Sequence, residues 1–140
     1  MERDLVKVII MGCGRVGAHV GTELWKNGHQ VTLLDTEPES FMLLPKEMVE
    51  AEETTLIGDG TLQEDLIRAG IQETDLFVAV SARDSRNALA AQKAQQIFHV
   101  QRVLCRIGDP IRQGMYEALG LQAMSPTTAT TAQILQAAEL

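Results

Sequence analysis

Residues 8–17, Val-Ile-Ile-Met-Gly-Cys-Gly-Arg-Val-Gly, decide the fold. A short run of branched apolar residues reaches Met11 and gives way to Gly12, Gly14 and Gly17, spaced G-x-G-x-x-G, and helix-forming sequence follows at once. The next apolar run, Val31, Thr32, Leu33 and Leu34, ends on an acid, Asp35. A glycine turn between strand and helix, with a carboxylate about 20 residues downstream at the end of a second strand, is the dinucleotide-binding fingerprint. The glycines alone carry little weight, because a glycine turn can simply pack a helix on a strand. Their setting makes the signal specific.

Each position in the turn has a physical task. Gly12 permits a tight turn, Gly14 leaves no side chain between the backbone and an incoming pyrophosphate, and Gly17 lets the helix approach the sheet. The helix that starts here aims free N–H groups and its positive dipole end at phosphate. Arg15 stands at the mouth of the turn and adds a formal positive charge, with Cys13 and Val16 filling the remaining turn positions. Asp35 is suited to accept both ribose hydroxyls of an adenosine. A 2′-phosphate would face its carboxylate, and Thr36 and Glu37 follow rather than an arginine. The expected ligand is therefore NAD(H) or an adenine nucleotide (ATP, ADP or AMP), with NADP disfavoured.

Size and charge narrow the class. The chain has 140 residues, 45% hydrophobic and 22% charged, which suits one globular domain over residues 1–140 with a real core. Its net charge of −7 argues against a nucleic-acid partner, so phosphate binding must be local. The two cysteines, Cys13 and Cys105, lack metal-ligand spacing and read as buried thiols beside strands, in keeping with a reducing cytoplasm. His19, His29 and His99 are dispersed, so no metal site is expected, and the six methionines read as core filling. The mixed charge of the first residues does not resemble a secretory signal, and no apolar segment approaches a membrane span, so direct membrane insertion is not expected.

Strand-like and helix-like stretches alternate along the whole chain. Strands are expected at residues 6–11, 30–35, 54–57, 75–80, 102–106 and 123–124. Helices are expected from the glycine turn to Asn27, over 39–44 (with loop after it), from the 58–61 turn to about Ala69, and over 85–97, 110–119 and 127–140. This alternation implies an α/β protein with a doubly wound, parallel six-stranded sheet, the Rossmann fold.

In such sheets ligands lie over the carboxyl ends of the strands, where strand order reverses. Polar residues gather at those ends: Asp35, Asp59, Ser81, Asp84 and Arg106. Asp59 with Gly60 is suited to read an adenine or its ribose, and Asp59 or Thr61 is equally suited to cap the next helix. Ser81 and Asp84 carry the same two readings, with capping ahead for Asp84. Arg106 points to a phosphate contact or to an ion pair with a nearby acid. Asn87, one turn into its helix, is placed to bond the crossover backbone.

The blocks VIIMGCGRVG, VTLLD, LIGDGT, DLFVAVSARDSRN, VLCRIGDP and GLQAMSPTTATTAQIL occur in this order over nearly the whole chain. Together they resemble the N-terminal Rossmann domain of potassium-transport regulators, known as TrkA-N, KTN or the RCK N-lobe. That resemblance implies a regulatory domain that binds NAD(H), ATP, ADP or AMP and thereby alters a membrane cation channel or transporter. It implies a cytoplasmic location against the inner membrane face through that partner, and a homodimer or higher oligomer. Carried over by residue, Gly12, Gly14, Arg15, Asp35, Asp59 and Ser81, with the adjoining Thr36 and Ala82, line the nucleotide site. Arg106 lies near its phosphate end or at a subunit contact. Thr36 stands where the family often has a second acid, and the family's C-terminal ligand-binding lobe is not recognisable, as in an excised or stand-alone domain.

The competing reading is a small NAD-dependent oxidoreductase. The expected fold uses the entire chain, leaving no substrate domain. The lone Tyr116 is followed four residues later by Gly120, so a Tyr-x-x-x-Lys pair is absent. No His or Lys stands at a strand end for acid–base work, so no catalytic residue is expected. The closing segment, 127–140, is apolar with Glu139 its one ionisable side chain, and it is expected to bury against a second copy or fold back on its own sheet.

Overall fold

The structure, a computed structural model, describes residues 4–140; the start of the chain read above for its charge, residues 1–3, lies outside them. Strands β1 (Lys7–Met11), β2 (Gln30–Asp35), β3 (Thr55–Ile57), β4 (Leu76–Ala79), β5 (Arg102–Arg106) and β6 (Gln122–Met124) form one sheet in the order β3-β2-β1-β4-β5-β6. Every neighbouring pair is parallel. The helices are α1 (Arg15–Lys26), α2 (Lys46–Glu50), α3 (Gln63–Arg68), α4 (Asp84–Gln96), α5 (Pro110–Ala118) and α6 (Pro126–Ala137). This is the doubly wound parallel sheet that the alternating pattern implied.

Both faces of the sheet are covered, which is why its strands read as continuous apolar runs rather than as alternations. Val8, Ile10, Leu33 and Val78 point to one face and join Ala18, Phe41, Leu44 and Met48 from α1, the following 3-10 turn and α2. Ile9, Met11, Leu34 and Phe77 point to the other and meet Leu66, Ala88 and Ala91 of α3 and α4. Ile9, Ile10, Leu33, Leu34 and Phe77 are fully buried. Each such side chain stabilises the fold by about 1.5–3 kcal/mol through removal from water.

Local departures from the sequence reading have identifiable causes. Residues 38–43 form a 3-10 turn with Pro38 at its start, and the expected loop after it contains α2. Two prolines and several glutamates disguise this stretch, whereas buried Phe41, Leu44 and Met48 pin it to the sheet. A further 3-10 turn at Ile71–Glu73 follows Gly70, whose φ is +88°. Helix α6 begins at Pro126, one residue earlier than expected, with Ser125 capping it. Met11 and Met48 fill the core as expected, but Met42, Met115 and Met124 are exposed.

Candidate functional site

Strand order reverses between β1, which pairs with β2, and β4, so a crevice opens over their carboxyl ends. The glycine turn forms its floor. Gly12 has φ +105°, and a Cβ there would lie 2.7 Å from the Ser81 backbone nitrogen, so the turns after β1 and β4 touch only because this residue is glycine. A Cβ on Gly17 would lie 1.8 Å from the Gly12 carbonyl oxygen, which sets how closely α1 meets the strand end. At Gly14 a Cβ would meet nothing within 4 Å, because that side faces the open crevice. Helix α1 has no side-chain cap, unlike α5, capped by Asp109, and α6, capped by Ser125. Its first N–H groups are thus available to an anion.

The acids beside this turn hold the rim in shape. Asp35 Oδ2 accepts the Cys13 N–H at 2.8 Å and Oδ1 accepts the Glu37 N–H at 2.8 Å, which fixes the glycine turn to the end of β2. Asp59 does not cap α3, which begins at Gln63; neither does Thr61. Instead Asp59 Oδ1 accepts the Thr61 N–H at 2.9 Å and its hydroxyl at 2.7 Å, closing an Asx turn, and also receives the Arg86 guanidinium at 2.5 Å. Burial opposes ionisation of this carboxyl, but the Thr61 hydrogen bonds and the Arg86 charge outweigh it and hold the group below its usual value.

On the far wall Asn87, fully buried, clamps two strand ends. Its Oδ1 accepts from the Ser81 N–H and hydroxyl at 2.9 and 2.7 Å, and its Nδ2 donates to the Ser81 and Arg106 carbonyls, both at 2.9 Å. Asp84 is the first residue of α4 and does not cap it. Its carboxylate accepts the Gly108 and Asp109 N–H groups at 2.9 and 3.4 Å, tying two crossover turns together. Arg106 carries a buried Nε with no hydrogen-bond partner, and among the described residues no carboxylate lies within ion-pair distance of it. The ion-pair reading of Arg106 is therefore not realised. An unpaired buried donor is costly, so a ligand oxygen at this point has a physical role to fill.

Gly12, Gly14, Arg15, Val16, Asp35, Thr36, Asp59, Gly60, Ser81, Ala82 and Arg106 all line one cleft of about 730 Å³. Cys13 departs from this set: its side chain turns inward and is fully buried, so only its backbone takes part in the turn. Burial, reinforced by Asp35, pushes its thiol up to about 11. Ser40, Arg83 and Arg86 also line the cleft and were not anticipated. Arg83 and Arg86 flank Asp84 in the RDSRN segment, where the sequence reading singles out only Asp84 and Asn87. The lining holds four arginines against two aspartates, on a chain of net charge −7.

Strand order and glycine turn define a Rossmann-type α/β domain. The chain belongs to the TrkA-N domain family, whose model matches residues 8–126. It is 38% identical over 129 residues to the Trk system potassium uptake protein TrkA of Streptomyces coelicolor, covering 92% of this chain and 56% of that protein. Against the TrkA homolog of Methanothermobacter thermautotrophicus the identity is 29%, with 92% and 58% covered. The chain thus spans little more than half the length of these relatives. Among solved structures, the TrkA-N domain of the inner membrane protein YbaL from Escherichia coli superposes with a TM-score of 0.81 at 13% identity, covering 96% of this chain and 98% of that one. The AMP-bound Kef C-terminal domain of Shewanella denitrificans gives 0.74 at 23% identity, covering 91% and 76%. The GsuK channel bound to NAD also gives 0.74, at 20% identity, covering 97% and 23%.

Proposed function

We propose that this chain is a regulatory nucleotide-binding module of a potassium or other cation transport system, and that its cleft takes NAD(H) or an adenine nucleotide. One observation carries the reading: open space over Gly14, beneath the uncapped start of α1 and within a cleft whose Arg106 has an unpaired donor. These residues fit a pyrophosphate. The α1 N–H groups and Arg15 would hold it, Asp35 would keep one lone pair per oxygen for ribose hydroxyls, and Arg106 would meet the phosphate end. The TrkA proteins named above are potassium uptake proteins, and fold neighbours are solved with AMP and NAD, which supports this assignment.

In this proposal the module works at the cytoplasmic face, held there by a membrane transporter or channel. None of the described helices is long and apolar enough to cross a membrane. It would also pair with a second copy through α6, a helix with no buried residue. Calorimetry with NADH, NAD, ATP, ADP, AMP and NADPH tests the assignment. Binding of at least one adenosine ligand, lost in Gly14→Val, is the expected result; no binding by any of the six removes the proposal. The rival oxidoreductase reading would require steady consumption of NADH with an alcohol, aldehyde or hydroxy acid, abolished by one substitution in the cleft.

A further inference from the structure

Among the described residues, the Arg86–Asp59 ion pair is the one hydrogen bond between side chains that reaches across the cleft. Arg86 rises from the first turn of α4, beside β4, while Asp59 follows β3, and two strands lie between them in the sheet. Both side chains are partly exposed, at 35% and 27%, and both line the cleft. The Asp59 oxygen that receives Arg86 is already held by the Thr61 N–H and hydroxyl. Withdrawal of the guanidinium would therefore leave that carboxylate hydrogen-bonded. Arg86 has no second anchor of this kind: Asp59 is its sole ionic partner among the described residues. Arg83 and Arg106 add two more guanidinium groups to the lining.

We propose that Arg86 determines which phosphates the cleft prefers, by leaving Asp59 for a terminal phosphate. This rests on the nucleotide reading given above. A terminal phosphate carries close to two charges and three acceptor oxygens, which matches the planar fork of an arginine better than the shared oxygen of Asp59 does. The bridged phosphates of a dinucleotide each carry one charge and two non-bridging oxygens, one charge and one oxygen fewer than a terminal phosphate. Exchange of Asp59 for phosphate hence favours adenosine di- or triphosphate, while a dinucleotide leaves the ion pair in place.

The ratio of ADP to NAD affinity, measured by calorimetry on the 140-residue chain, isolates this role. Arg86→Gln is expected to lower that ratio by about tenfold or more, the worth of a charge-assisted hydrogen bond, with NAD affinity changed less than about twofold. Asp59→Asn keeps an acceptor for Thr61 and releases Arg86, so the ratio should rise, and the rise should vanish in the double variant. Should Arg86→Gln fail to fold, judged by circular dichroism, Arg86→Lys retains the charge without the fork and should give a smaller drop. An unchanged ratio in a folded Arg86 variant overturns the role of Arg86 while leaving nucleotide binding intact. Absence of ADP and NAD binding in the unaltered protein overturns both readings.

Discussion

Helices α1 and α6 are each 12 residues long, yet they are held in different ways. Helix α1 is built into the sheet: Gly17, Ala18 and Gly21 are buried, and its start is fixed by contact with the Gly12 carbonyl. Helix α6 is well capped by Ser125 and entered through Pro126, but buries none of its residues; Ile134 and Leu135 are 61% and 47% exposed. A helix of this length is marginal in water without tertiary packing. The contrast separates two sources of order. Helix α1 takes its position from close backbone approach, which only glycine permits, while α6 has good local signals and an apolar surface left without a partner inside the domain. The first arrangement suits a rigid floor for a ligand. The second suits a contact between molecules.

The largest expected effect tests the rigid side. Gly17→Val should destabilise the fold by about 4 kcal/mol, because the new side chain cannot coexist with the Gly12 carbonyl unless α1 leaves the sheet. Gly14→Val, three residues earlier in the same turn, should leave the urea midpoint within the scatter of surface substitutions, roughly ±0.5 kcal/mol, and abolish nucleotide binding. Equal losses of stability at the two glycines would erase the distinction between a packing glycine and a ligand-facing one. Next in size is cofactor choice. Asp35 should disfavour NADPH relative to NADH by about 3 kcal/mol through like-charge contact in a partly dry site, and equal affinities in a side-by-side titration would sink its assignment.

The exposed side gives a smaller effect on the fold and a clear one on mass. Light scattering at micromolar concentration should report a dimer, and Ile134→Glu with Leu135→Glu should yield a monomer. Its unfolding midpoint, at matched concentration, should fall by no more than the lost association contributes. A monomer mass for the unaltered chain, with and without nucleotide, would remove α6 as a pairing helix.

The same division explains what could be read in advance. The strands of a parallel sheet and the glycine turn were legible because each depends on short-range pattern: apolar runs, breakers and the interval to Asp35. The order β3-β2-β1-β4-β5-β6 comes from the folded chain. Most rim residues followed from one topological rule about strand ends. The partners of those residues were not legible. Asp59 is joined to Arg86 across 27 positions of sequence, and Asp84 to Gly108 across 24, so only the folded sheet brings them together. Capping, which needs no long-range contact, was one of two even readings for Asp59 and the leading one for Asp84, and in both cases a distant group competed successfully. Helix α2 was missed for a similar reason: its order comes from Met48 in the core rather than from helix propensity.

The smallest effect concerns the thiol within the glycine turn. Cys13 and Cys105 are both fully buried, and both thiols are raised from 9.0 to about 11 by burial first and by a neighbouring carboxylate second: Asp35 for Cys13 and Asp84 for Cys105. In the unfolded chain they ionise near their ordinary value, so between pH 9 and 11 the native state holds more protons than the unfolded one. Stability must therefore fall as pH rises through that window, while this contribution remains whole below it. A Cys13→Ala, Cys105→Ala variant should lose some stability at pH 7 from the missing volume, yet show a flatter decline from pH 9 to 11 than the unaltered chain does. Iodoacetamide at pH 8 should label the native thiols only as fast as the protein opens, because the reactive thiolate is scarce and enclosed. Rapid labelling of Cys13 in the folded protein would show that the inner wall of the turn is open to solvent, and would put the rigidity ascribed to this side of the cleft in question.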